Sequence, residues 1–217
     1  MPHRSRTTRT GVDSAATSIV PAVCATSGGG GGSRRHPIAN AAAQSAARTT
    51  TLDGMAIKDG LLAEFDHEIG TTRRLLERLA DDRLEWKPHE RSMSLGGLAT
   101  HLSNLPHWGG IILNEASFDL AGAPPPLDAL KSRADILTSL DQKAGKARES
   151  LDRTDAELLA PWSLKRAGQE VFTMPRVTAF RTFVLYHIVH HRGQLSVYLR
   201  LNGIPVPAIY GPSADEG

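Results

Sequence analysis

His187 and His191 close an H-x-x-x-H in the run Tyr186-His187-Ile188-Val189-His190-His191-Arg192-Gly193-Gln194. Residues four apart on a helix lie one above the other, with Cβ atoms about 5–6 Å apart, so two imidazoles at this spacing can close on one metal ion. A pair is half a site. A third histidine would complete a set that leaves one coordination position for water or substrate, the catalytic arrangement. His101 is the best-placed third ligand, because Leu98, His101, Leu105 and Trp108 share one side of a helical pattern and turn it inward. Three neutral imidazoles suit zinc, nickel, copper or ferrous iron.

An angular count along the last helix, at about 100° per residue from His187, sorts the neighbours. His191, Gln194, Tyr198, Phe180 and Phe183 fall on one face, and Arg192 points to the opposite side. That face has an apolar floor, two histidines and a polar rim of Gln194 and Tyr198, which are candidates for orienting a ligand or a substrate. His190 lies to the other side of His187 and reads as a group beside the site or at an interface. The bland alternative is a set of hydrogen-bonded core histidines, but desolvating two stacked rings demands compensation by hydrogen bonds or a metal. Several chemistries are excluded. A zinc protease needs Glu directly after the first histidine, where Ile188 stands. Ser103 and Ser196 lack a strand-to-helix elbow. The run Gly28 to Gly32 has no preceding strand and no following Lys-Ser or Lys-Thr to make a phosphate loop.

Four helical patterns position these faces. The first covers residues 56–80, with Leu61, Leu62, Phe65, Ile69, Thr72, Leu76 and Leu79 facing a core, and Asp66, His67 and Glu68 beside them reading as a solvated side. The second starts after Ser94 as N-cap; Pro106 should kink it near Leu102, and Gly109 and Gly110 permit close packing. Residues 122–126 break the chain. The third opens with Ser132 three residues before Asp135 and buries Ile136, Leu137, Leu140, Ala144, Ala147 and Leu151. Thr154 to Glu157 caps one short turn, and residues 161–172 alternate weakly about Gly168, as a small hairpin or an irregular loop would. The last helix starts at Pro175 and ends at Gly203. The expectation is an all-α chain, a four-helix bundle whose core carries the metal.

Composition separates a tail from this bundle. Residues 1–54 hold six arginines, no lysine, two acids, no aromatic residue and one leucine, too little apolar surface to offset the entropy of ordering them. They are expected to be a disordered low-complexity extension, with Met55 as an alternative start. A transit peptide would be an amphipathic helix, which the glycine run and Pro37 interrupt, and a nucleic-acid arm would be more densely charged. From Met55 on, 19 basic residues face 21 acidic ones, a balance that steers the fold neither to nucleic acid nor to an anionic membrane. Cys24 is the only cysteine, so no intramolecular disulfide forms, and a reducing cytoplasm is the default location.

The stretch from His187 through His191-Arg192-Gly193-Gln194 to Arg200, followed by Gly203 to Pro207 and Tyr210 to Ser213, resembles the closing helix and tail of the DinB/YfiT-like metalloproteins. Leu95 to Leu102 resembles their ligand segment on the second helix. This helical family is unrelated to the DNA polymerase that shares the name. The resemblance spans residues 55–217 and implies an up-up-down-down four-helix bundle, often a homodimer. It also implies one divalent ion per chain, usually zinc or nickel, on His101, His187 and His191. It further implies, for some relatives, activation of a small thiol such as bacillithiol or mycothiol for transfer to an electrophile. A non-catalytic metal-binding or stress-response bundle and a metal-hydroxide hydrolase are the alternatives, because the motif records the metal and not the substrate.

Overall fold

The computed structural model describes residues 55–123 and 127–216. The expected disorder of residues 1–54 lies outside them, as does part of the break at 122–126. Four helical segments enclose one core: α1 (Ile57–Leu76), α2 with α3 (Leu95–Asn104 and His107–Asn114), α4 (Arg133–Ser150), and a closing segment of α6 (Arg176–Phe180) and α7 (Tyr186–Leu201) joined by a π-helical turn at Arg181–Leu185. The short α5 (Asp155–Leu159) precedes the closing segment. Helices α1 and α2 each pack on both α4 and α7. Leu61, Phe65, Leu98, Leu102, Leu140, Ile188 and Leu195, all fully or almost fully buried, fill the space between them.

Local chemistry sets the boundaries. Ser94 caps α2 by accepting from the Gly97 amide at 3.0 Å, Ser132 caps α4 from Asp135, and Thr154 with Glu157 forms a reciprocal capping box on α5. The expected kink at Pro106 is a break: α2 stops at Asn104 and α3 restarts at His107, because proline has no amide to continue the ladder. Gly109 sits where α3 meets α4 and α6; a Cβ there would stand 2.9 Å from the Phe180 ring and 3.0 Å from the Ala147 Cβ. Gly109→Ala is therefore expected to destabilise the fold by about 1–3 kcal/mol, read from the urea midpoint, since Ala147 cannot retreat without moving its helix. Gly110→Ala, whose nearest neighbour would be 3.8 Å away, serves as the neutral comparison.

The fold is mostly helical but not all-α. β1 (Ser117–Asp119) pairs in parallel with β2 (Pro161–Arg166), which pairs antiparallel with β3 (Gln169–Pro175). The hairpin turn holds Ala167 and Gly168 at positive φ, 50° and 77°. The Asp119 carboxylate accepts from both turn amides, at 2.9 and 2.7 Å, which holds the turn against the steric cost at Ala167. Trp162, fully buried, packs with Phe172 and Phe183 at centroid distances of 6.4 and 6.1 Å, seating the sheet on the π turn.

Glu68 and Arg192 depart most from expectation. The side of α7 opposite the histidines faces α1, so Arg192 is buried, its side chain 1% exposed, and Glu68 is not part of a solvated face. The Arg192 guanidinium meets the Glu68 carboxylate at 2.5 Å and donates to the Glu68 carbonyl at 3.1 Å. It also donates to the Tyr210 hydroxyl, which in turn donates to the Glu68 carboxylate at 2.9 Å. One buried cation thereby ties α1, α7 and the C-terminal tail.

Candidate metal centre

The site begins with how α2 is held. Gly96 lets the preceding loop lie on the helix start: a Cβ there would meet Leu84 Cβ at 3.0 Å and its carbonyl at 3.1 Å, and the Gly96 amide donates to that carbonyl at 2.8 Å. The Leu95 amide bonds the Trp86 carbonyl at 2.8 Å, and the Trp86 ring stands edge-on to Tyr198 at 5.5 Å. The loop thus fixes α2 against α7, and with it His101 against the α7 histidines.

His101, His187 and His191 converge. Their ligand nitrogens all lie within 4.8 Å of one another, and among the described residues no fourth histidine, cysteine or carboxylate joins them. His101 Nε2 and His187 Nε2 are 3.5 Å apart. At metal–nitrogen bonds of about 2.0–2.1 Å, a tetrahedral ion spaces its ligands by about 3.3 Å, so this pair stands at coordination distance. As a hydrogen bond, the same contact is long. On His191 the other ring nitrogen is engaged outward. His191 Nδ1 meets Gln194 Oε1 at 2.7 Å; that oxygen only accepts, so Nδ1 carries the proton and Nε2 keeps its lone pair for the cluster. His187 has the Phe183 backbone, within the π turn, beside its ring, which favours the protonated form against burial.

Burial lowers the pKa of all three imidazoles. His101 falls to about 4, through burial first and then through His191 and His187. For His187 burial is joined by His191 and His190, and for His191 by His190, with the Gln194 bond opposing. The cluster is therefore neutral at pH 7, the state in which imidazole ligates. Beside His101 the surface opens into a cavity of about 470 Å3, whose polar lining includes Ser94, Asn104 and Lys87.

Gln194 stands where sequence spacing put it, and its amide also reaches His190 Nε2 at 3.2 Å, while the His190 ring stands edge-on to His191 at a centroid distance of 4.8 Å. No hydrogen bond brings Tyr198 to the cluster; its ring is held by Trp86. Phe180 packs on Phe65 and Phe183 on Phe172, both at 5.6–5.7 Å. Asn104, three residues after His101 and so on its face of α2, was discoverable from spacing. Lys87 was not, since a loop delivers it.

A model of the DinB family matches residues 50–217. The chain belongs to the DinB family. It is 27% identical over 158 residues to the uncharacterized protein YrdA of Bacillus subtilis (strain 168), covering 73% of this chain and 90% of that one. A DinB-like protein from Bacillus cereus ATCC 10987 superposes with a TM-score of 0.55 at 24% identity, over 70% of this chain and 97% of that one. A second, YjoA from Bacillus subtilis, does so at 0.52 and 20%, over 72% and 98%. These two likenesses establish a shared DinB fold.

The neutral cluster makes the stability of this DinB bundle pH-dependent in a definite direction. With metal removed by a chelator, the unfolded chain takes up protons on these histidines before the folded chain does. Their contribution is complete above the ordinary histidine value of 6.5 and is lost as pH falls from there towards about 4, where His101 titrates in the fold. Urea midpoints of the chelated protein are expected to drop across that window and to drop less in His101→Gln; equal slopes for the two proteins would contradict a buried neutral His101.

Proposed function

We propose that this protein holds one divalent ion, zinc or nickel, on His101, His187 and His191 and uses it to activate a small thiol for transfer to an electrophile. The observation that carries the reading is a cluster of three neutral imidazoles with no fourth ligand among the described residues, and with a cavity of about 470 Å3 beside His101. The donor set fits the ion: nitrogen ligands of borderline softness, with the His191 ring fixed by a hydrogen bond on its far side. When bound, the ion would act as a Lewis acid and favour the deprotonated form of a thiol or water beside it. Gln194 keeps the His191 proton on Nδ1, while Asn104 and Ser94 present polar groups to whatever occupies the cavity. In this reading two copies form a homodimer, and a monomer mass by analytical ultracentrifugation would remove that part of it.

The test is spectroscopic. Full-length protein loaded with cobalt should develop sulfur-to-metal charge-transfer absorption on adding a cellular thiol, because a coordinating thiol is deprotonated by the ion. The band should be absent in His187→Ala. If no thiol produces the band while an ester or amide substrate is hydrolysed, the hydroxide reading replaces this one; no band and no turnover would favour a non-catalytic bundle.

A further inference from the structure

The groove between α3 and α4 carries a second cluster of chemistry that the histidine centre does not use. Gly109 and Ala147 hold the two helices close, and next to that contact lies a cavity of about 390 Å3, within the size range of small-molecule sites, about 300–1,000 Å3. Lys143 and Lys146, three residues apart and so on one face of α4, line it from one side, and His107 lines it from α3. Among the described residues neither lysine has a carboxylate within ion-pair distance, whereas Arg148 on the same helix pairs with Asp66 at 2.9 Å.

Lys143 is also placed, whereas Lys146 is exposed. Lys143 is half-buried and donates to Ser139 Oγ at 2.8 Å, which fixes the ammonium and leaves its other two N–H groups free. Burial holds its pKa below the ordinary lysine value, and burial together with the two ammonium groups lowers that of His107. Positive charge is thus gathered in a concave, partly desolvated place where neither lysine is ion-paired. The floor, Gly110, Ile111 and Ala147, is small and apolar. Glu115 is the one carboxylate in the lining, and it forms no ion pair with either lysine.

We infer that this groove binds the anionic end of a small molecule, a carboxylate or a phosphate, with Lys143 and Lys146 supplying the charge and His107 a hydrogen bond. Glu115 limits the ligand to one acid group, since a second negative charge beside it would be repelled. Repeating polyanions such as nucleic acid are excluded on the same ground. The inference stands apart from the metal reading: it needs no ion and none of the three clustered histidines.

The experiment is a titration of 15N-labelled full-length protein with inorganic phosphate and, separately, with acetate, each against sodium chloride at matched ionic strength. Saturable amide shifts in α3 and α4, absent with chloride, are expected for at least one anion, and which anion saturates at lower concentration tells phosphate from carboxylate. The double variant Lys143→Gln, Lys146→Gln should weaken that binding at least about tenfold, the loss expected from one charge-assisted hydrogen bond or more. Gly110→Asp, which sets a carboxylate into the groove from the α3 side, should abolish it and provides a second route if the lysine variant folds poorly. Shifts that never saturate, that chloride reproduces, that centre on α7, or that survive in both variants would each overturn the proposal.

Discussion

Replacing His101, His187 or His191 by alanine is expected to abolish tight metal binding, a loss of more than about a hundredfold in affinity, because each removes one of the three histidines that converge among the described residues. Gln194→Ala should weaken binding by about 10–100-fold, since it frees the His191 ring and its tautomer without removing a ligand. His107→Ala should change nothing at this centre: His107 lies past the break at Pro106, against α4. Metal content after gel filtration, with competition by a chelator of known affinity, separates the three grades. Equal losses from His107 and His187 variants would mean that α2 presents a different face to α7.

The largest effect on stability is expected at Arg192. Arg192→Ala leaves the Glu68 carboxylate, 15% exposed, without its cation and removes a donor to Tyr210, Thr72 and the Glu68 carbonyl. Breaking a buried pair from one side costs about 3–5 kcal/mol. The double variant Glu68→Leu, Arg192→Met buries no charge and should recover most of that loss. Guanidinium unfolding of the two variants and the parent reads both values, and metal stoichiometry at saturation should be unaltered in each. A double variant no more stable than Arg192→Ala would show that the hydrogen bonds, and not the unpaired charge, set the cost.

What could be read in the chain beforehand was what depends on near neighbours. The histidine pair and Gln194 follow from helical spacing alone, and His101 follows because Leu98 and Leu105 mark its side of the helix as inward. Ser94, Ser132 and Thr154 announce helix starts through side-chain groups three residues from their partners. The angular count likewise put Arg192 opposite the histidines, but no count along one helix tells whether that side meets water or α1; Glu68 and Tyr210 are 124 residues before it and 18 after it. The hairpin of β2 and β3 is one of the two readings of residues 161–172, but its partner strand β1 escaped for a related reason. β1 is three residues long and pairs with a segment 46 positions away, so it has no alternation of its own to detect. The count also assumed an unbroken α-helix, and the π turn at Arg181–Leu185 invalidates it for Phe180 and leaves it sound from His187 on.

That π turn sets a rule for how this gene can vary. A π turn holds one residue more than the α-helical path it replaces, so deleting a single residue between 181 and 185 would let the segment run as regular helix. The hydrogen-bond ladder would be intact, and because the wide turn absorbs its extra residue within one rotation, α6 and α7 would keep nearly their present faces. A deletion between His187 and His191 has no such slack: it would turn one histidine about 100° away from its present place beside the other. Single-residue length variation should therefore be tolerated in this five-residue stretch and purged from the ligand-bearing part of α7. A library of single-codon deletions scanned across residues 176–201 would locate that frame, with folded, metal-competent survivors at 181–185 and none between His187 and His191.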